Sequence, residues 1–397
     1  MTTVEQAEKI ILAETKDYGT ESIYFENALG RVLAEDLKAD RDLPPYNRVT
    51  MDGIAISFAA YENGTRSFKI IATQAAGDTS FEINHPSECI EIMTGAALPA
   101  TTDTVIRYED LDIKDGIATI QIESINKTQN IHFKGRDKKK DDVVAKSNQL
   151  ITPALISMAA SVGYKDLLVK RLPKLIIISS GDEVVNIDEQ PNAFQIRRSN
   201  NYTIKAALKQ YRIDADMLHI PDNAAITKEE IEKSLQQYDV IILSGGVSEG
   251  KFDYIPKALE ECGVKKLFHK VQQRPGKPFW FGKHDNGVLV FAFPGNPVST
   301  FMCLHRYCLP WLETSLGLEG QMLYAVLNED YIFTPALQYF LQVKLSMNES
   351  GQLLAKPITG NGSGDFANLL DTDAFIELPL ERNNFTKGEV FRIWPFV

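Results

Sequence analysis

The chain has 397 residues, 44% of them hydrophobic and 24% charged, with a formal net charge of −11. At about 150 residues per domain, that length calls for two to four globular domains of ordinary soluble composition. An acidic balance offers no basic face for nucleic acid, and no apolar run approaches the roughly 18 residues of a membrane span, so neither is an expected partner.

Thr3 and Gln6 make a capping box for a first helix carrying Val4, Ala7, Ile10 and Ile11 on one face, with Gly19 as its expected end. An extended piece at Ser22–Phe25 leads to a second expected helix around Ala28–Leu37. From Leu43 the pattern changes: Pro44-Pro45 impose an extended path, and strand-like pieces follow at Phe68–Ala72, Cys89–Met93, Val105–Tyr108 and Ile117–Glu123. Helical pattern returns at Thr152–Gly163, with Thr152 as N-cap and Pro153 in the first turn. Helix, β segment and helix again point to a β domain inserted into a helical one.

From Leu172 to about Leu316 the alternation is that of a parallel α/β sheet. Strands are expected at Leu175–Ile178, Met217–Ile220, Val240–Leu243 and Val288–Phe293, with helices over Tyr202–Tyr211, from a Thr227/Glu230 capping box to near Tyr238, before Gly263, and after Pro297. Beyond Gly320 strand-like pieces dominate (Leu341–Leu345, Phe375–Leu378, Val390–Trp394), which reads as a compact β domain. The fold class is therefore multidomain α/β and β.

Candidate chemistry gathers at the ends of the α/β strands. The apolar run Val240–Leu243 passes into Ser244-Gly245-Gly246-Val247-Ser248 and then a charged segment ending in Asp253. Ligands of open α/β sheets bind beyond the carboxyl ends of strands, and adjacent glycines let main-chain N–H groups approach a phosphate. Taken alone, an ordinary strand-to-helix turn explains the same residues. Arg274-Pro275-Gly276-Lys277-Pro278 adds two cations beside a stiff turn, and Pro294-Gly295-Asn296-Pro297 ends another strand rigidly. An anionic ligand across the sheet edge accounts for all three.

Acids follow successive strands: Asp182 and Glu183, then Asp222, then Asp253. Carboxylates so placed suit Mg2+ that bridges phosphates, and any of these acids, Glu183 and Asp253 among them, could supply an oxygen. Each acid alone is better explained as a helix cap or solvated loop residue; together, beside the Gly-Gly turn and the Arg274/Lys277 pair, a metal-plus-phosphate site is the better reading. There is no GxxxxGK[ST], no GxGxxG before a helix and no GxSxG. Six histidines form no HxxxH or HExxH, which leaves zinc without support. Cys89, Cys262, Cys303 and Cys308 form no CxxC pair, and MTTVEQAEKI lacks a signal-peptide pattern, so a cytoplasmic protein with reduced thiols is expected. The basic run at 134–140 is followed by Asp141-Asp142 and reads as a solvated loop.

LPPYNRVTMDGIA, IMTGAALP, GRD at 135–137, SSGDE, LSGGVSEGKFDY, RPGKPFWFG and FPGNPVS resemble, in that order, the motifs of the molybdopterin molybdenumtransferases, the MoeA-type family shared with the C-terminal domain of gephyrin. The resemblance implies an elongated helical domain split in sequence (1–42 and 141–171), an inserted β domain (43–140), an α/β domain like that of molybdopterin adenylyltransferases (172–317) and a C-terminal β-barrel (318–397). It implies insertion of molybdate into adenylylated molybdopterin with release of AMP, dependent on Mg2+, by a homodimer. Transient contact with the adenylyltransferase is a further implied partnership. By motif, Asp52, Thr94, Asp137 and Asp222 join Glu183 and Asp253 as reaction-site residues. Ser244, Gly245, Gly246, Ser248, Arg274, Lys277, Pro294 and Pro297 would hold the ligand. Adenylyl transfer to molybdopterin and a non-enzymatic, gephyrin-like scaffold are the alternatives. Arg274 stands where the family commonly has lysine, Ile54 where it has tyrosine, and TPALQYFLQVKL lacks the arginines common there.

Overall fold

The computed structural model describes residues 1–247 and 254–396, which divide into two compact units. The first comprises residues 1–34, 148–152 and 167–397; the second comprises 35–147 and 153–166.

The first unit is built on a six-stranded sheet in the order Asp216–Ile220, Leu175–Ser180, Val240–Ser244, Leu289–Phe293, Trp280–His284, Val264–His269. Val240–Ser244 and Leu289–Phe293 are buried at every position, which explains their unbroken apolar runs. Their side chains alternate between two cores. Val240, Ile242, Leu289 and Phe291 enter one cluster; Ile241, Leu243, Val290 and Ala292 enter the other. Helices therefore cover both faces.

The first four strands are parallel, as expected, but the last two are antiparallel. That pair escapes a reading based on strand–helix alternation, because the Arg274–Pro278 turn joins it without a helix. Strand order reverses between Leu175–Ser180 and Val240–Ser244, whose carboxyl ends form the switch point of the sheet.

The Thr3/Gln6 capping box is present, with both reciprocal bonds made. Its helix, Val4–Leu12, stops well short of Gly19. Trp311 Nε1 donates to the Glu14 carbonyl at 3.1 Å, taking an acceptor a longer helix would use. The expected helix around Ala28–Leu37 does not form. Val32 and Leu33 instead bridge Leu150 and Val169, and Leu37–Lys38 pairs with Val143–Ala145. Long-range pairing overrides the local helical spacing of these apolar residues. The helix expected to begin at Thr227 starts at Ala224. Asn223 caps it, its Oδ1 accepting from the N–H groups of Ala225 and Ile226, and Thr227 is buried one turn inside.

Within the same unit, Gln338–Met347, Leu353–Pro357, Leu323–Leu327, Val390–Pro395 and Ala374–Leu378 pair in a ring, closing a β-barrel around Leu327, Leu341, Val343 and Ile376. Gln273–Arg274 adds to it as a short parallel strand on Gln338–Tyr339. A buried ionic knot binds the barrel to the α/β layer. Arg306, 2% exposed, donates to Glu8 at 2.9 Å, lies 3.4 Å from Glu377 and stacks 4.3 Å over Trp394. Trp394 Nε1 donates to Glu377, and Arg392 reaches both Glu8 and the Trp394 ring.

The second unit carries a six-stranded sheet ordered Thr104–Arg107, Gly53–Ile56, Glu88–Ile92, Ser67–Gln74, Ile117–Ile120, Leu111–Lys114. The four strand-like pieces expected there are all strands. Gly53 is required: a Cβ at this position would lie 1.8 Å from the Ile106 carbonyl oxygen. Helix Pro153–Ser161 belongs to this unit and begins at the expected proline. All four cysteines are free thiols, and no helix among the described residues is long and apolar enough to cross a membrane.

Candidate functional site

A cleft of about 560 Å3 opens at the switch point of the sheet. Its floor is made by strand ends. Ser179 and Ser180 close one strand, Ser244 the next, and the turns Gly245-Gly246 and Pro294-Gly295-Asn296-Pro297 form two walls.

Gly245 and Gly246 have φ of +94° and +67°, conformations that side chains disfavour. At Gly246 a Cβ would meet Ile255 Cδ1 at 2.5 Å and Ser180 Oγ at 2.8 Å. Gly246→Ala is accordingly expected to displace the turn and to weaken binding of a nucleoside monophosphate, titrated as a probe of the cleft, at least about tenfold by calorimetry. Unchanged affinity would remove this turn from the site. The two walls touch: the Gly245 N–H donates to the Phe293 carbonyl at 3.1 Å, and Asn200 Nδ2 donates to both Ser244 Oγ and the Gly295 carbonyl.

Glu183 lines the cleft with room supplied by Gly181, where a Cβ would lie 2.5 Å from its carboxylate. Its side chain forms no ion pair among the described residues. Asp222 also lines the cleft, in reciprocal contact with Asp182: each backbone N–H faces the other's carboxylate, at 3.2 and 3.4 Å. Asp222 thereby joins two strand-end loops. Behind them, Asn201 Nδ2 donates to Ser179 Oγ, which lies 2.9 Å from His219 Nδ1. Burial, and then the charge of Arg198, hold the His219 imidazole below its usual range against the pull of Asp182, Asp222 and Glu183.

Among the described residues, no three His, Cys, Asp or Glu side chains cluster as a metal site. Glu183 and Asp222 nevertheless offer hard oxygen donors to one cleft, which suits Mg2+ held by one or two carboxylates and a substrate phosphate. Ser248 and Asp253 lie outside the described residues.

Arg274 and Lys277 do not line this cleft. They line an adjoining cavity of about 540 Å3 between the sheet and the barrel, together with Tyr331, Phe333, Tyr339 and Ser363. The pairing of Gln273–Arg274 with the barrel carries them there. Pro278, Pro294 and Asn296 line both cavities, so they adjoin directly. Asn296 Nδ2 donates to Ser363 Oγ at 2.8 Å.

Asp52, Thr94 and Asp137 belong to the second unit. The Thr94 N–H donates to Asp52 Oδ1 at 2.6 Å and holds that exposed carboxyl below its usual range. Asp137 lies 2.8 Å from His132 Nε2.

Sequence reasoning passed over Arg197-Arg198-Ser199-Asn200-Asn201, all of which line the cleft. The signal was legible: two cations and a run of capping residues immediately before a helix, on the same edge as the glycine turns.

Residues 2–163 match the family described as MoeA N-terminal region (domain I and II), 176–314 the probable molybdopterin binding domain, and 324–396 the MoeA C-terminal region (domain IV). A molybdopterin molybdenumtransferase of Synechocystis sp. is 37% identical, the alignment covering 98% of this chain and 99% of that protein. One from Haemophilus influenzae is 30% identical, covering 100% and 99%. The crystal structure of the molybdopterin biosynthesis MoeA protein from Pyrococcus horikoshii superposes with a TM-score of 0.83 at 27% identity, covering 100% of this chain and 99% of that one.

Proposed function

The chain belongs to the MoeA family and is a molybdopterin molybdenumtransferase of molybdenum cofactor biosynthesis, and from that premise we propose how its two cavities divide the reaction. The substrate is adenylylated molybdopterin. Its nucleotide half enters the switch-point cleft, where the Gly245 and Gly246 main chain holds phosphate. Molybdate, an oxyanion, enters the adjoining cavity and meets Arg274 and Lys277. The two dithiolene thiols bind molybdenum through sulfur, their two protons leaving with one molybdate oxygen as water, and water cleaves the phosphoanhydride to give AMP and the monophosphate of the metal-loaded pterin.

Glu183 and Asp253 are the proposed holders of Mg2+, with Asp222 ordering the loops beside them. When bound, the ion draws charge from the bridging phosphate oxygens. We further propose four domains, at 1–42 with 141–171, 43–140, 172–317 and 318–397. In a homodimer, Asp52, Thr94 and Asp137 of one protomer would complete its partner's cleft, and the exposed Asp52 carboxylate, held by Thr94, supports that reading.

The observation that carries the proposal is the adjacency of a glycine-walled cleft and a cation-lined cavity, with Pro278, Pro294 and Asn296 common to both. Incubation with adenylylated molybdopterin, molybdate and Mg2+ tests it. AMP release that depends on molybdate is expected, and release indifferent to molybdate would sink the assignment. Lys277→Ala is expected to raise the molybdate concentration for half-maximal release about tenfold. An unshifted curve would take Lys277 out of oxyanion binding.

A further inference from the structure

The switch-point cleft has two cations of its own, Arg197 and Arg198, just before helix Asn200–Gln210. Arg197 is occupied: its Nε donates to the Glu189 carbonyl at 3.2 Å and its Nη2 to Gln190 Oε1 at 3.4 Å. Arg198 is not. Its side chain makes no hydrogen bond or ion pair among the described residues, and its Nε is shielded from solvent without an acceptor. A guanidinium part-withdrawn from water, with its shielded Nε–H lacking an acceptor, carries a cost that an arriving acceptor removes.

Two further observations aim the same wall at an anion. The Arg198 N–H is bonded to the Val185 carbonyl at 3.0 Å, which fixes the residue at the cleft. The helix that follows begins without a side-chain cap from Ser199, so its first N–H groups stay open and its positive end faces the ligand space.

We propose that Arg198 is the cation that seats the phosphate of the nucleotide, a role that sequence reasoning gave to Arg274 and Lys277. The proposal depends on the reading that this cleft takes the adenylylated substrate. It gives the two anions separate seats: the AMP phosphate on Arg198 and the helix start, the oxyanion on Arg274 and Lys277 in the next cavity. Arg198 thus acts in ligand selection, distinguishing a nucleotide from its nucleoside.

Calorimetric titration of AMP and of adenosine into the wild type, R198Q and R198K tests this. The wild type is expected to bind AMP more tightly than adenosine. R198Q is expected to lose about ten- to a hundredfold of its AMP affinity with adenosine unchanged. R198K keeps the charge without the fork and recovers part of the loss. Should R198Q melt early, R198K carries the test through a severalfold drop confined to AMP. An AMP affinity untouched by both variants, or an equal loss for AMP and adenosine, overturns the role of Arg198 and leaves the substrate reading standing. A wild type that binds neither ligand overturns both.

Discussion

Glu183→Gln is expected to lower molybdate-dependent AMP release at least about a hundredfold while leaving the melting temperature where it was. The carboxylate stands in the cleft with no ion pair among the described residues, so its charge is not spent on the fold. Gly181 keeps that space open, since any Cβ there would strike the carboxylate. Glutamine preserves the shape and removes only the charge. The effect therefore falls on whatever needs an anionic oxygen, which in the proposed reaction is Mg2+ on the phosphate. Full turnover in the variant would end the assignment; a lowered melting temperature would show instead that the charge supports the loop.

Arg306→Ala is expected to cost about 3–5 kcal/mol, read from urea unfolding, because it strands two acids against each other. Glu8 and Glu377 both face Arg306, and the Trp394 and Tyr307 rings close over its guanidinium. Burial alone would raise the Glu8 carboxyl, but Arg306 and Arg392 outweigh it and hold the group below its usual range. A carboxylate depressed in the folded state stabilises above its unfolded value, and that contribution drains away as pH falls through the folded one. The wild type should therefore lose stability on the acid side, with a shallower loss in Arg306→Ala. An unfolding midpoint unmoved by the substitution would refute the knot's importance.

Much of the α/β layer was legible because burial on both faces leaves a plain trace. Val240–Leu243 could be little else than an interior strand, and Thr3 with Gln6 specified a helix start that the structure repeats atom for atom. Where local pattern failed, a distant segment had intervened. Val32 and Leu33 carry helical spacing, yet Leu150 and Val169 draw them into extended bridges. Thr227 mimics a cap, yet Asn223 sits one turn earlier with a better acceptor.

The site divides in the same way. The glycines at 245 and 246 and the acid at 183 were readable from chemistry that acts within a few residues. That Arg274 and Lys277 turn toward the barrel was not, since only the pairing with Gln338–Tyr339, far along the chain, decides it.

Pro278, Pro294 and Asn296 stand between the two chambers as a party wall, with Asn296 hooked to Ser363 on the far side. In the proposed reaction, a nucleotide and an oxyanion on opposite sides of this partition would lean on the same three residues. Whatever factor the nucleotide applies to the grip on the oxyanion, the oxyanion must return to the nucleotide in full. In the proposed reaction, the departure of AMP would thereby bear on the hold over the oxyanion.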